Sequence, residues 1–209
     1  NDYYTPFEAM EIIGRKENLS EVKIDEICEI VHSYIAHYDY VDQKYTVVEV
    51  EKEHKVLLSK ELPSDDPANI ITSRFDLVVK DTRGNHYILD HKTSASTIGP
   101  SLKDRYTLSG QFQLQWLIGE SLWRNKFGGI ITNAIGSRLE ADGEAKVLRL
   151  TLPSAFGMRL RFLDNIRWAN ILLDKFKSLP YDKYPRAMHE TVCLTKYGKC
   201  PYYDKCRDE

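Results

Sequence analysis

Two apolar, β-branched runs separated by a short turn segment constrain this chain more than any other feature. Residues 70–79 and 86–90 flank Thr82, Arg83, Gly84 and Asn85, the pattern of an antiparallel hairpin. Residues 45–58 precede them with Thr46, Val47, Val48, Val50 and Val56 interleaved with charge, which adds a third strand. After the hairpin, residues 130–135 and 145–152 read as two more strands around the turn residues Asp142 and Gly143, with Pro153 ending the second.

Helical spacing fills the intervals. Ile24, Ile27, Cys28, Val31, Tyr34 and Ile35 recur at three- and four-residue steps, which predicts an amphipathic helix over residues 23–38. Leu108, Phe112, Trp116 and Leu117 predict one long helix over residues 102–126, closed by Gly128 and Gly129. Phe156, Leu160, Leu163, Ile166, Ile171 and Leu172 predict another over 155–179. Helix, three strands, helix, two strands and helix point to the α/β or α+β class: a central mixed β-sheet flanked by helices. The 209 residues, 42% of them hydrophobic, suffice for one core, so a single domain is expected. It divides into a helical part (1–40), a core (41–180) and a cysteine-rich tail (181–209).

Charge is distributed unevenly. Residues 1–66 carry 7 Lys/Arg against 16 Asp/Glu, whereas residues 67–209 carry 22 against 15, so an anionic partner should prefer the second part. No apolar run reaches the roughly 18 residues needed to span a bilayer, and no secretion signal opens the chain; a soluble, cytoplasmic protein is expected. The chain opens at Asn1 without a methionine, as a trimmed or excised piece would.

The chemistry concentrates at the end of the hairpin. Residues two apart on a strand share a face, so Asp90 and Lys92 point together while His91 points away and offers mainly its backbone carbonyl. Asp76, on the partner strand, can reach the same spot. Two carboxylates beside a lysine at the end of apolar strands are costly unless a cation neutralises them, and such a site suits magnesium or manganese. The plainer alternative is a cross-strand ion pair between Asp76 and Lys92 with Asp90 solvated.

These residues resemble the PD-(D/E)XK nuclease superfamily, in particular its RecB-like exonuclease branch, which includes CRISPR-associated and phage exonucleases. Phe75-Asp76-Leu77-Val78-Val79 is similar to the branch's hydrophobic-Asp-Leu-Val strand, and Asp90-His91-Lys92-Thr93-Ser94 to its Asp-x-Lys-Thr-Ser strand. Gln111 matches the glutamine of a Gln-x-x-x-Tyr motif whose tyrosine position is Gln115 here, and Glu51 matches an upstream strand glutamate. The resemblance implies a restriction-endonuclease-like core and a catalytic set of Asp76, Asp90, Lys92, Gln111 and Glu51. It further implies magnesium or manganese on Asp76, Asp90 and the His91 carbonyl. The branch's upstream metal-binding histidine has no counterpart in a matching motif; His32 is the stand-in.

Three of the four cysteines, Cys193, Cys200 and Cys206, crowd the last 17 residues, and clustering of this kind points to a metal. By the resemblance the trio, with Cys28 as fourth ligand, would hold a four-iron four-sulfur cluster; zinc on the trio and His189 is the alternative. Lys103, Arg105, Arg159 and Arg161 are candidate phosphate contacts, and Tyr106, Trp116 and Trp168 candidate stacking partners. The expected function is a metal-dependent DNA exonuclease of recombination, repair or phage replication, acting on DNA with a free end beside recombination or replication proteins. A non-catalytic DNA-binding or scaffold module of the same type is the alternative, and an unrelated metal-dependent hydrolase with a zinc tail a third.

Overall fold

The computed structural model describes residues 5–60, 63–66, 69–95, 98–153, 156–180, 194–195 and 198–199. Helix α1 (Pro6–Lys16) starts from a signal not read above: Thr5 and Glu8 form a reciprocal capping box, with Pro6 in the first turn. Helix α2 (Glu21–Asp42) is longer than the spacing predicts and is capped by the Ser20 hydroxyl, which accepts from Lys23 N at 3.3 Å.

Strands β1 (Tyr45–Leu57), β2 (Ile70–Asp81) and β3 (His86–Ser94) follow, then helices α3 (Ser101–Thr107) and α4 (Gly110–Trp123). A short 3-10 turn, Arg124–Lys126, leads to β4 (Phe127–Leu139), β5 (Ala145–Leu152) and helix α5 (Phe156–Lys177). One mixed five-stranded sheet runs in the order β1-β2-β3-β4-β5. β3 and β4 are parallel and the other neighbours antiparallel, as a helical crossover between β3 and β4 requires. The architecture is therefore α+β, a mixed sheet flanked by helices.

The Asp81 carboxylate ties the β2–β3 turn by accepting from the backbone of Arg83 and Asn85 at 2.9 and 2.8 Å, while Gly84 supplies a φ of 81°. On one face of the sheet, Phe75, Val78, Ile88, Ile130, Ala134 and Leu150 pack with Leu102 of α3 and Phe112, Trp116 and Ile118 of α4. On the other, Val79, Leu89 and Ile131 form a smaller cluster.

Two expectations need correction. The single helix over 102–126 is interrupted at Leu108-Ser109, where Ser109 adopts extended backbone and Gly110 begins α4; Leu108, read as the start of the apolar stripe, is exposed at the break, while Leu102 of α3 and Phe112 and Trp116 of α4 join the same cluster. Gly128 and Gly129 close no helix but lie in β4, where the Tyr87 ring approaches Gly128 so closely that a Cβ would sit 2.3 Å from it.

Residue contacts divide the chain into two compact units, Asn1–Phe162 and Leu163–Glu209. The first contains the whole sheet. The second holds the rest of α5 and a two-strand hairpin, β6 (Leu194–Thr195) and β7 (Gly198–Lys199). Among the described residues, no helix is long and apolar enough to cross a membrane.

Candidate active site

The β2–β3 ladder ends at the pair Leu77↔Leu89, and the next residues outward are Asp76 and Asp90. β3 continues beside β4 as far as Ser94↔Gly136, so the two hairpin strands part company at the two aspartates. Asp76 spans the fork: its Oδ2 accepts the His91 backbone N–H at 2.9 Å, replacing a strand partner.

A break in strand alternation accompanies the fork. Phe75 and Val78 both belong to the large cluster while Leu77 and Val79 face the small one, although residues three apart on a regular strand face opposite ways. Across the ladder, Glu51 lies between the pairs Val50↔Leu77 and Lys52↔Phe75 with φ of 50°, in the left-handed region. A non-glycine residue there marks local strain. The Glu51 side chain is exposed, with Arg74 Nη1 3.9 Å from its carboxylate.

Asp90 is completely buried. Both of its oxygens are engaged, and by different partners. Oδ1 accepts from Gln111 Nε2 at 3.1 Å and Gln115 Nε2 at 3.3 Å, residues one helical turn apart on the same face of α4. Oδ2 lies 2.6 Å from Lys92 Nζ, which also sits 5.7 Å from the centre of the Phe112 ring. Burial pushes the Asp90 carboxyl above the ordinary carboxylate range against the opposing pull of Lys92 and Gln115, and the nearby Asp76 charge adds to the rise.

Behind the fork, on the α2 face, the His91 ring meets Tyr34 edge-on at 5.5 Å. The Tyr34 hydroxyl accepts from Asn133 Nδ2 at 3.1 Å and Arg149 Nη2 at 3.2 Å. Arg149 forms a two-pronged pair with Asp42 at 2.6 and 3.0 Å, donates to Asn133 Oδ1 at 2.7 Å, and lies over the Tyr38 ring. Burial and the Asp42 charge push the Tyr34 phenol up to about 12. This network ties α2 to β4 and β5 directly behind the His91 peptide, and its residues are too scattered in the chain to be read together.

Asp76, Asp90, Lys92 and Gln111, expected to share a site, are brought together; Glu51 stands across from Asp76 with its side chain in solvent. Gln115, read above only as a departure from a motif, is a partner of Asp90. The available signal was the four-residue step from Gln111 within an otherwise apolar helix. Lys103, Arg105 and Arg161 are exposed. Arg159 is not: it is 3% exposed, ion-paired with Glu120 Oε1 at 2.8 Å and lies over the Trp116 ring, so it is a core cation and not a phosphate contact. Trp116 is buried and Tyr106 packs on Phe112, so Trp116 is core and not a stacking platform. His32 is exposed and packs on Phe7; two residues from Tyr34, it lies on a different side of α2 from the fork.

Among the described residues, no group of three or more His, Cys, Asp or Glu side chains forms a metal cage. The fork instead offers two carboxylates and a backbone carbonyl, an all-oxygen set. Asp90 Oδ2 is buried and ion-paired with the Lys92 ammonium, with the Asp76 charge nearby. That donor set fits magnesium or manganese, which are held by one or two carboxylates and complete their shells with water and phosphate oxygens. Cys28 is half-buried and forms no disulfide among the described residues. Burial, then the carboxylates of Glu11, Asp25 and Glu29, push its thiol up. Cys193, Cys200, Cys206 and His189 lie outside the described residues.

No family model matches the chain, and no curated protein matches it. Among solved structures, it is similar to one described as the crystal structure of SSO0001. The two share 16% sequence identity, with a TM-score of 0.38 over 79% of this chain and 73% of that one.

Proposed function

We propose that the chain is a magnesium- or manganese-dependent deoxyribonuclease of the RecB-like PD-(D/E)XK type, acting as an exonuclease on DNA with a free end. The observation that carries this reading is the buried Asp90, held beside Asp76 where two strands separate, with Lys92 on its free oxygen. Asp76, Asp90 and the His91 carbonyl would hold the cation, which supplies a water of lowered pKa and offsets charge on the phosphate. Lys92 would orient that water or stabilise the added charge at the phosphorus. Asp76 holds the His91 peptide in place through the bond to its N–H, and the Tyr34 ring backs the imidazole of the same residue. Cys193, Cys200 and Cys206 belong to this reading as a structural metal site, an iron–sulfur cluster or zinc.

A non-catalytic DNA-binding module is the second reading. It is favoured by the Lys92–Asp90 pair, which occupies the carboxylate, and by the position of His32 away from the fork. The deciding experiment is degradation of end-labelled linear single- and double-stranded DNA with magnesium or manganese, beside circular DNA and the variants Asp90→Ala and Lys92→Ala. Metal-dependent loss of label from linear DNA alone, abolished in both variants, is expected. A folded protein that binds DNA but leaves every substrate intact would establish the second reading instead.

A further inference from the structure

α4 contains three glutamines at alternate positions, Gln111, Gln113 and Gln115, within an apolar helix. Gln113 donates to the Thr107 carbonyl at 2.5 Å, tying α4 to the end of α3, and its own Oε1 is buried with no hydrogen-bond partner among the described residues. Gln115 has no such structural partner. It is 0% exposed, its amide nitrogen reaches Asp90 Oδ1, and its Oε1 is buried with no hydrogen-bond partner among the described residues. Thr132 is the β4 partner of Asp90 in the parallel ladder, and its hydroxyl is likewise fully buried and unpartnered. A buried amide with half its bonding unmet is worse for stability than an aliphatic side chain of the same size. A position that keeps one is therefore explained by what its other half holds.

That half holds one oxygen of Asp90. Two amide donors, one turn apart on α4, converge on Oδ1, and a single carboxylate oxygen accepting two hydrogen bonds has little capacity left for a third partner. Oδ2 faces the Lys92 ammonium. We propose that Gln115 is a positioning residue which, together with Gln111, commits Asp90 Oδ1 to the protein, so that Asp90 offers a divalent cation its Oδ2 alone. The inference rests on the metal-dependent reading above. It assigns Gln115 a task distinct from touching DNA: orienting the carboxylate so that one oxygen, and one geometry, meets the ion. Outer partners of a ligating carboxylate act in this way.

The test is calorimetric titration of manganese into the full chain, with no DNA present, for wild type, Asp90→Ala, Gln115→Met and Gln113→Met. Methionine matches glutamine in length and apolar burial but donates nothing to Asp90. Manganese binding that depends on Asp90, weakened about tenfold or more in Gln115→Met and unchanged in Gln113→Met, is expected. Gln113→Met also loses a buried hydrogen bond from the same helix, so it reports general damage to α4. Gln115→Asn, one methylene too short to reach Oδ1, should lose affinity like Gln115→Met and serves if the methionine variant does not fold. Wild-type affinity in the Gln115 variants, with or without a lowered melting temperature, overturns the inference and leaves the metal reading standing. Manganese binding that is absent from wild type or indifferent to Asp90→Ala overturns both.

Discussion

Lys92 Nζ lies 2.6 Å from Oδ2 of Asp90, an ammonium that is partly exposed resting on a carboxylate that is wholly buried. The asymmetry makes the carboxylate the costly member of the pair, since burial raises its pKa despite the lysine. A carboxyl whose folded pKa is raised contributes stability that is complete below the unfolded value of 3.8 and is lost as pH rises through the folded pKa. Asp90→Asn therefore melts at a higher temperature than wild type at neutral pH in chelator, and the two curves converge in acid. Thermal melts across pH check this; an asparagine variant less stable at neutral pH contradicts it.

Under the proposed nuclease reading, the residues at the fork should separate by role. Lys92→Ala and Asp76→Asn should lower kcat by about 100-fold or more, the scale of losing a positioned acid–base group or a charge partner. Glu51→Gln, whose carboxylate is exposed and only loosely paired with Arg74, should lower it by less than about tenfold. Initial rates on labelled DNA at saturating metal distinguish the two classes.

Glu51 carries its left-handed backbone at the cost of strain. Glu51→Gly removes the Cβ conflict and should be more stable than Glu51→Ala by about 1 kcal/mol, measured by urea unfolding. Equal stabilities would mean that the bend at Asp76 does not depend on this conformation.

Arg149 and Asp42 form the most heavily bonded pair behind the site, with side chains 13% and 33% exposed. Arg149→Met leaves Asp42 and the Tyr34 hydroxyl short of partners and should cost about 3 kcal/mol. The double variant Arg149→Met, Asp42→Leu should recover part of that loss, since both charges are then gone. Urea unfolding of the four proteins in the cycle measures the coupling.

Gly119 lets α4 approach the sheet. A Cβ there would meet the Phe127 ring at 2.4 Å, so Gly119→Ala should destabilise by about 1–3 kcal/mol and push α4, with Gln111 and Gln115, away from Asp90. Manganese affinity should fall along with the melting temperature.

Much of this organisation is written in local pattern. Alternation of β-branched residues and the turn chemistry of Asp81 to Asn85 determine the hairpin, and the two-residue step from Asp90 to Lys92 places both on one face wherever that strand goes. Helical spacing marks α2 and α5 as helices, although Phe156, Leu160, Ile171 and Leu172 of α5 stay exposed, whereas α4 is apolar on most of its circumference. The sequence by itself also singled out residues that meet at the fork, Asp76, Asp90, Lys92 and Gln111, since acids and a lysine amid apolar strands are expensive to place.

Other features required the assembled structure. Arg159 reads as a surface cation on a basic helix, yet Glu120 and Trp116 enclose it, and no periodicity encodes a partner 39 residues away. The interruption before Gly110 is invisible in the apolar spacing of the sequence, and the structure reveals it by leaving Leu108 exposed between two helices. Asp90 shows the division most clearly. Its place on the strand is local, but complete burial, two amides on one oxygen and an ammonium on the other arise only where β2 leaves β3 and α4 closes over the gap. A strand pattern determines which way a side chain points; how deeply it is desolvated and which groups answer it depend on elements that meet only in three dimensions.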